Sequence, residues 1–481
     1  MKLVSLSLHN IKNIRNGDIG FETLDSGGSL TGIYGANGSG KTSVIKALRL
    51  LQDTLNPMKD ISAHMRNLIT QGEDNADLSA TFQERGRHLE YQVYYKFADD
   101  GQLTVSRECV YVGRHPSRMG RVFVQHDADP TQPLALYPAR RWRGVVNAAP
   151  DKTETIIAER DAYRMHNSFL FSDMFLDTLA DTAQGAYGRL SDESARSLER
   201  YDIEEAFTLM RKVRDYVLHR MFLLETDHTA WVSYELLPMA VGTKEGRYVE
   251  HMLSLRQENR VSEQAKRQLE DSIRMFNHVL PYLVHGLTID LNDLGPVELD
   301  DGDPGRAVSI VSVRGKRRIP LRDESEGIIR IVGMLAFLIR AYNDPDVFVA
   351  IDEIDTGVFE YLLGEILYNF SANMQGQLVF TAHNLRPMER MVPLSKTIVL
   401  STLDEDNKFI RYGKVLKTNN PRHKYLRMVE FGGAEEPIYE YTAPQLIGAG
   451  FTLAGSAQRH PSHLKLNIPD SLKVADWGKL L

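Results

Sequence analysis

"GIYGANGSGKTSVIKAL", from Gly32 to Leu48, decides the reading of the chain. Within it Gly35-Ala36-Asn37-Gly38-Ser39-Gly40-Lys41-Thr42 fits G-x-x-x-x-G-K-[ST], and Ser43 follows directly. The apolar run at residues 30–34 predicts a short strand leading into the loop. Behind it, Val44, Ile45, Ala47, Leu48 and Leu51 recur at helical spacing until Asn56-Pro57 stops the helix. Such glycines let backbone N–H groups converge on an anion, and the start of the helix adds a favourable dipole. The stretch from Gly35 to Ser43 is therefore a candidate site for ATP. Lys41 would neutralise the β- and γ-phosphates, and the Thr42 hydroxyl would ligate Mg²⁺.

More than half the chain separates this loop from three further pieces. Val347-Phe348-Val349-Ala350-Ile351 is a continuous apolar run, of the kind buried inside a sheet, and it ends in Asp352-Glu353. Two acids at the end of a buried strand are costly unless a cation or a reaction uses them. Asp352 would hold Mg²⁺, and Glu353 would polarise the attacking water. A second apolar run, residues 377–382, ends at His383-Asn384, which places a γ-phosphate sensor at a strand end. Between loop and acids, Ser325-Glu326-Gly327 opens an apolar helix and offers a hydroxyl and free N–H groups to an anion, or serves as an ordinary N-cap.

The bulk numbers constrain the rest. At 481 residues the chain is long enough for roughly three domains. With 42% hydrophobic and 25% charged residues it is an ordinary globular composition. A net charge of −7 excludes coating of nucleic acid by bulk charge, so any such contact must be confined to one face. Cys109 is the only cysteine, which leaves no disulfide framework and no thiolate metal site. Residues 1–9 alternate like a half-buried strand rather than forming a signal-peptide core, and the longest apolar run, residues 331–339, is too short to span a bilayer. The expectation is a cytoplasmic protein with no membrane partner.

These four pieces, in this order, resemble the ABC-type ATPase heads of the SMC, RecF and OLD kind. The opening "LSLHNIKNIRNGDIGFE", Leu6 to Glu22, is similar to the first strands of that superfamily. Ser325-Glu326-Gly327-Ile328-Ile329-Arg330 stands where transporters show Leu-Ser-Gly-Gly-Gln. It resembles the degenerate signature of compact ATPases from bacterial anti-phage systems such as PARIS and Septu. The resemblance covers roughly residues 1–100 and 305–400. It implies an α/β P-loop NTPase fold with mixed sheets and a head-to-head dimer closed over two ATP molecules. In that dimer Ser325 and Gly327 of one subunit would cap the γ-phosphate held by Lys41 of the other. Glu353 would be the catalytic base, His383 the switch residue, and Asp355 would lie near the dimer seam. The family's coupling glutamine has two candidates here, Gln71 in a polar loop and Asp77 before an expected strand at residues 78–82.

The long separation implies one ATPase head split by an insertion. Residues 1–115 are expected to form its N-terminal lobe, 116–300 a mainly helical insertion, 301–405 its C-terminal lobe and 406–481 a basic extension. In the insertion, Ile203, Phe207, Met210, Val217, Met221 and Leu224 form one helical stripe, and Leu269, Ile273, Phe276, Leu280 and Leu283 another. Arg314, Lys316, Arg317 and Arg318 sit on an expected hairpin. Lys408, Arg411, Lys414, Lys417, Arg422, Lys424 and Arg427 follow without an intervening acid, interleaved with Phe409, Tyr412 and Tyr425, as on a nucleic-acid or partner face or an ordinary solvated surface. Asp404-Glu405-Asp406 has the spacing of an OLD nuclease pair but lies in a loop signal, so the chain is expected to lack its own nuclease. Three functions fit: a defence ATPase that controls a separately encoded nuclease and is triggered by DNA or a phage protein, a repair ATPase that binds DNA directly, or a nucleotide-locked scaffold with little turnover.

Overall fold

Strand β3 (Ser29–Gly35) is buried at every position, as are β16 (Phe348–Ile351), β17 (Gln377–Ala382), β18 (Ile398–Ser401) and β9 (Met221–Leu224). Continuous burial marks strands covered on both faces, and these pair in parallel. With the antiparallel edge strand β19 (Phe409–Arg411) they form a six-stranded sheet of order β19-β18-β3-β17-β16-β9. The pleat divides their side chains between two cores. Ile33, Phe348, Ala350, Val379 and Val399 join one core with the phosphate-loop helix Lys41–Thr54. Tyr34, Val349, Ile351, Leu378, Phe380 and Leu400 join the other, with the helices Glu326–Asn343 and Glu360–Asn373.

The first core is closed by an antiparallel sheet of seven strands. In chain order they are β1 (Lys2–Ile11), β2 (Ile14–Gly20), β4 (Asn75–Glu84), β5 (Arg87–Phe97), β6 (Leu103–Gly113), β7 (Arg121–Asp127) and β8 (Ala135–Tyr137). Alternation in β4 and β5 puts Leu78, Ala80, Phe82, Tyr91, Val93 and Tyr95 inside. The second core is extended by β12 (Asn259–Ser262), β13 (Thr288–Glu298) and β14 (Pro304–Arg314), with β15 (Arg317–Pro320) paired to β14 and the helix Glu263–Asn277 packed alongside. A separate hairpin joins β10 (Leu236–Gly242) to β11 (Tyr248–Ser254).

The computed structural model describes residues 1–59, 61, 67–98, 101–113, 121–129, 132–149, 152–187, 193–225, 236–242, 248–300, 302–413 and 420–431. All belong to one compact unit, Met1–Ile438; the other unit, Tyr439–Leu481, lies outside the described residues.

The described part of residues 116–300 holds more helix than strand, but it is not a helical unit set apart from the sheets. It supplies strands to all four sheets: β7 and β8 extend the first-lobe sheet, β9 enters the ATPase sheet beside β16, and β13 pairs with β14 across the expected boundary at 300. The helical stripe ends early for the same reason. Its helix stops at His219, and Met221 and Leu224 lie in β9, whose backbone groups pair with β16.

Candidate functional site

Parallel pairing brings the distant motifs to one end of the six-stranded sheet. β17 lies between β3 and β16, so the loop after β3 and the acids after β16 emerge on the same side. The phosphate loop turns through Gly38 and Gly40, with φ of 75° and 107°, a conformation L side chains rarely adopt. Lys41 opens the helix and donates from Nζ to the carbonyls of Gly35 at 3.0 Å and Ala36 at 2.8 Å. Burial lowers the pKa of its ammonium, while Asp352, Glu353 and Asp355 act in the opposite direction. The Ser39 hydroxyl is buried without a hydrogen-bond partner among the described residues. A loop bent through two glycines, an ammonium with two backbone acceptors and an orphaned hydroxyl fit a phosphate group.

Asp352 is fully buried and accepts from Thr42 Oγ1 at 3.2 Å and from Thr381 Oγ1 at 2.5 Å. Two hard oxygens this close, at the mouth of a phosphate loop, fit a Mg²⁺ ion that takes its other ligands from phosphate and water. Among the described residues no group of three His, Cys, Asp or Glu side chains is placed to hold a metal unaided. Glu353 turns away from Asp352 into the left-handed region, with φ of 49°. Its N–H donates to Thr381 Oγ1 at 2.7 Å, and the Arg330 guanidinium donates to its carbonyl. The Glu353 carboxylate then faces His383, whose Nε2 lies 3.9 Å from Oε1.

Three residues to which the sequence assigned no role of their own hold this arrangement. Thr381 links both acids, and the register β16–β17 explains why: Ile351 pairs with Phe380, so Thr381 lies level with Asp352. A hydroxyl inside an otherwise apolar strand was the available signal. Asn13, in the β1–β2 turn, donates to the Gly38 carbonyl and accepts from Ser43 Oγ at 3.1 Å, which pins both flanks of the loop. Arg330, buried in the signature helix, ties that helix to the acidic turn.

Other expected residues fall elsewhere. Asp355 caps the turn after β17, accepting from the backbone N–H of His383 at 2.8 Å and Asn384 at 2.6 Å. Ser325 is exposed and makes no side-chain cap, while Gly327 packs against Gly357; no hydrogen bond joins this turn to the phosphate loop of the same chain among the described residues. Gln71 lies in an exposed turn and Asp77 bonds His9 at 3.0 Å, so neither reaches the phosphate loop in this structure. The basic run is not one exposed face. Lys408 is buried, Arg411 donates to the carbonyls of Lys396 and Gly20, and Lys424 lies over the Tyr412 ring, leaving Arg422 and Arg427 exposed; Lys414 and Lys417 lie outside the described residues. On the hairpin β14–β15, Arg314 pairs with Glu324 and Arg318 with Asp290. Among the described residues no helix is long and apolar enough to cross a membrane.

No curated protein matches the sequence. Among solved structures the chain is similar to an SMC head bound to the C-terminal winged-helix domain of ScpA, at 14% identity and a TM-score of 0.42, covering 86% of this chain and 98% of that one. It is also similar to an SMC head with an extended coiled coil bound to the C-terminal domain of ScpA, derived from Pyrococcus furiosus. There identity is 13%, TM-score 0.40, and coverage 89% of this chain and 98% of that one. The SMC head domain from Thermotoga maritima matches at 15% identity and a TM-score of 0.37, over 86% of this chain and all of that one. Residues 30–386, from the strand before the phosphate loop to just beyond His383, match the family described as "AAA domain, putative AbiEii toxin, Type IV TA system", and the chain belongs to that family of P-loop ATPases.

Proposed function

We propose that the protein binds and hydrolyses ATP with Mg²⁺, closes head to head on it, and in that state holds or releases a separately encoded effector nuclease in anti-phage defence. The observation that carries the enzymatic half is the cluster Thr42–Asp352–Thr381–Glu353, in which two oxygens suited to a metal ion and a candidate base share one hydrogen-bonded network at the phosphate loop. The exposed Ser325, whose side chain makes no hydrogen bond among the described residues, supports capping of a second copy's ATP. Membership of a family described by a toxin and a Type IV toxin–antitoxin system supports control of a toxic partner in the cytoplasm, in the manner of the PARIS and Septu ATPases. The inward-turned Lys408 and Arg411 remove part of the basic face that direct DNA binding would use, which favours this reading over a repair ATPase.

The test is co-purification with the product of an adjacent nuclease gene, with and without Mg-ATP. The expected result is a complex whose yield changes at least about tenfold between the two conditions. A pair that never associates, or one indifferent to ATP, contradicts the effector role.

A further inference from the structure

Lys408 is a second lysine at the phosphate loop, and the cluster described above does not use it. Its side chain is 2% exposed. Its ammonium has no hydrogen bond and no carboxylate at ion-pair distance among the described residues, and Asp404 and Glu405 act on it only from farther away. A Cβ built on Gly40 would lie 3.1 Å from Lys408 Cε and 3.1 Å from Asn13 Oδ1, so the lysine stem rests against the last glycine of the loop, at the start of the helix. The backbone fixes it there. Lys408 N–H donates to Asn16 at 3.2 Å, its carbonyl accepts from Thr402 at 2.8 Å, and Ser401 Oγ donates to the Ser39 carbonyl at 2.8 Å.

An ammonium without a hydrogen-bond or ion-pair partner, held beside a loop shaped for an anion, gains a charge-assisted hydrogen bond when the anion arrives. Sheet order says which part of the anion it meets. β16, which carries Asp352, lies two places from β3 on one side, and β18, which leads to Lys408, lies on the other. A phosphate chain with its γ end at Thr42 and Asp352 therefore runs its α end toward Ser43, Asn13 and Lys408.

We propose that the Lys408 ammonium pairs with the α-phosphate of a bound nucleoside di- or triphosphate, so that it supports ATP and ADP alike. This rests on the reading of the phosphate loop as a nucleotide site. The test is calorimetric titration of Mg-ATP and Mg-ADP into the full chain and into Lys408→Met, Lys408→Arg and Lys41→Ala. Lys408→Met is expected to weaken ATP and ADP to a similar extent, by about tenfold, and Lys408→Arg to recover most of that loss. Without nucleotide, Lys408→Met should melt no lower than the wild type, because the ammonium makes no hydrogen bond or ion pair among the described residues that the variant would lose. Unchanged affinities, a loss confined to ATP, or a methionine variant that melts lower or fails to fold would overturn the proposal and assign Lys408 to the fold. If Lys41→Ala abolishes binding while Lys408→Met leaves it intact, only this inference fails. If the wild type binds neither nucleotide, the nucleotide-site reading fails with it.

Discussion

At Glu353 the backbone holds a positive φ of 49°, which costs a residue with a Cβ about 1 kcal/mol or more unless its surroundings impose it. Here Thr381 takes its N–H and Arg330 its carbonyl, and the turn aims the carboxylate at His383. A turn held this firmly, with its carboxylate beside the candidate metal oxygens of Asp352 and Thr42, suits a general base. Glu353→Gln is expected to lower the phosphate-release rate at saturating ATP by about 100-fold or more while ATP still binds. Turnover near the wild-type rate would show that another group activates the water. Lys41 and Thr42 were legible in the sequence from the spacing of the glycine-rich loop, and Asp352, Glu353 and His383 because they follow directly on apolar runs. Asn13, Thr381 and Arg330 were not, because their partners are set by strand register and helix packing between segments far apart in the chain.

Among the elements, the signature helix and the acidic turn meet where only glycine fits. A Cβ on Gly327 would stand 2.3 Å from the Gly357 carbonyl, too close for any side chain unless the turn shifts. Gly327→Ala is therefore expected to displace the signature turn from the acidic loop, lowering ATP turnover at least about tenfold with little change in ATP affinity. Wild-type turnover in that variant would uncouple the two elements. A second element contact sits inside the first core. His126 lies between the buried carboxylates of Glu108, at 3.3 Å, and Glu159, at 2.8 Å, and these in turn hold the backbone N–H groups of Phe169 and Leu134. Burial acts to lower its pKa, but hydrogen bonds to Glu108 and Glu159 prevail and raise it to about 9. A raised pKa stabilises the fold fully below the unfolded value of about 6.5, and the gain is lost as pH rises through the folded value. The melting temperature should thus fall by several degrees more in the wild type than in His126→Gln between about pH 7 and about pH 10, and parallel curves would contradict the clasp. The strands that bear motifs were readable from their apolar runs; β9 was not, because its short apolar segment continues a helical spacing and only its pairing with β16 makes it a strand.

For the whole molecule, the mixed-sheet α/β head was legible from the order of its motifs, whereas the composition of residues 116–300 was not, since short strands that complete other sheets leave no period of their own. Each chain carries a phosphate loop with candidate metal and base residues, and a turn at Ser325 that is exposed and makes no bond to that loop among the described residues. Two copies facing each other would let each turn complete the other's site. The most direct measurement is the solution mass of Glu353→Gln by sedimentation, with and without Mg-ATP, beside Glu353→Gln combined with Ser325→Arg. The account predicts one chain's mass without nucleotide, twice that mass or a higher even multiple with ATP, and no growth in the double variant. A single-chain mass at saturating ATP, or growth that ignores Ser325→Arg, would contradict it.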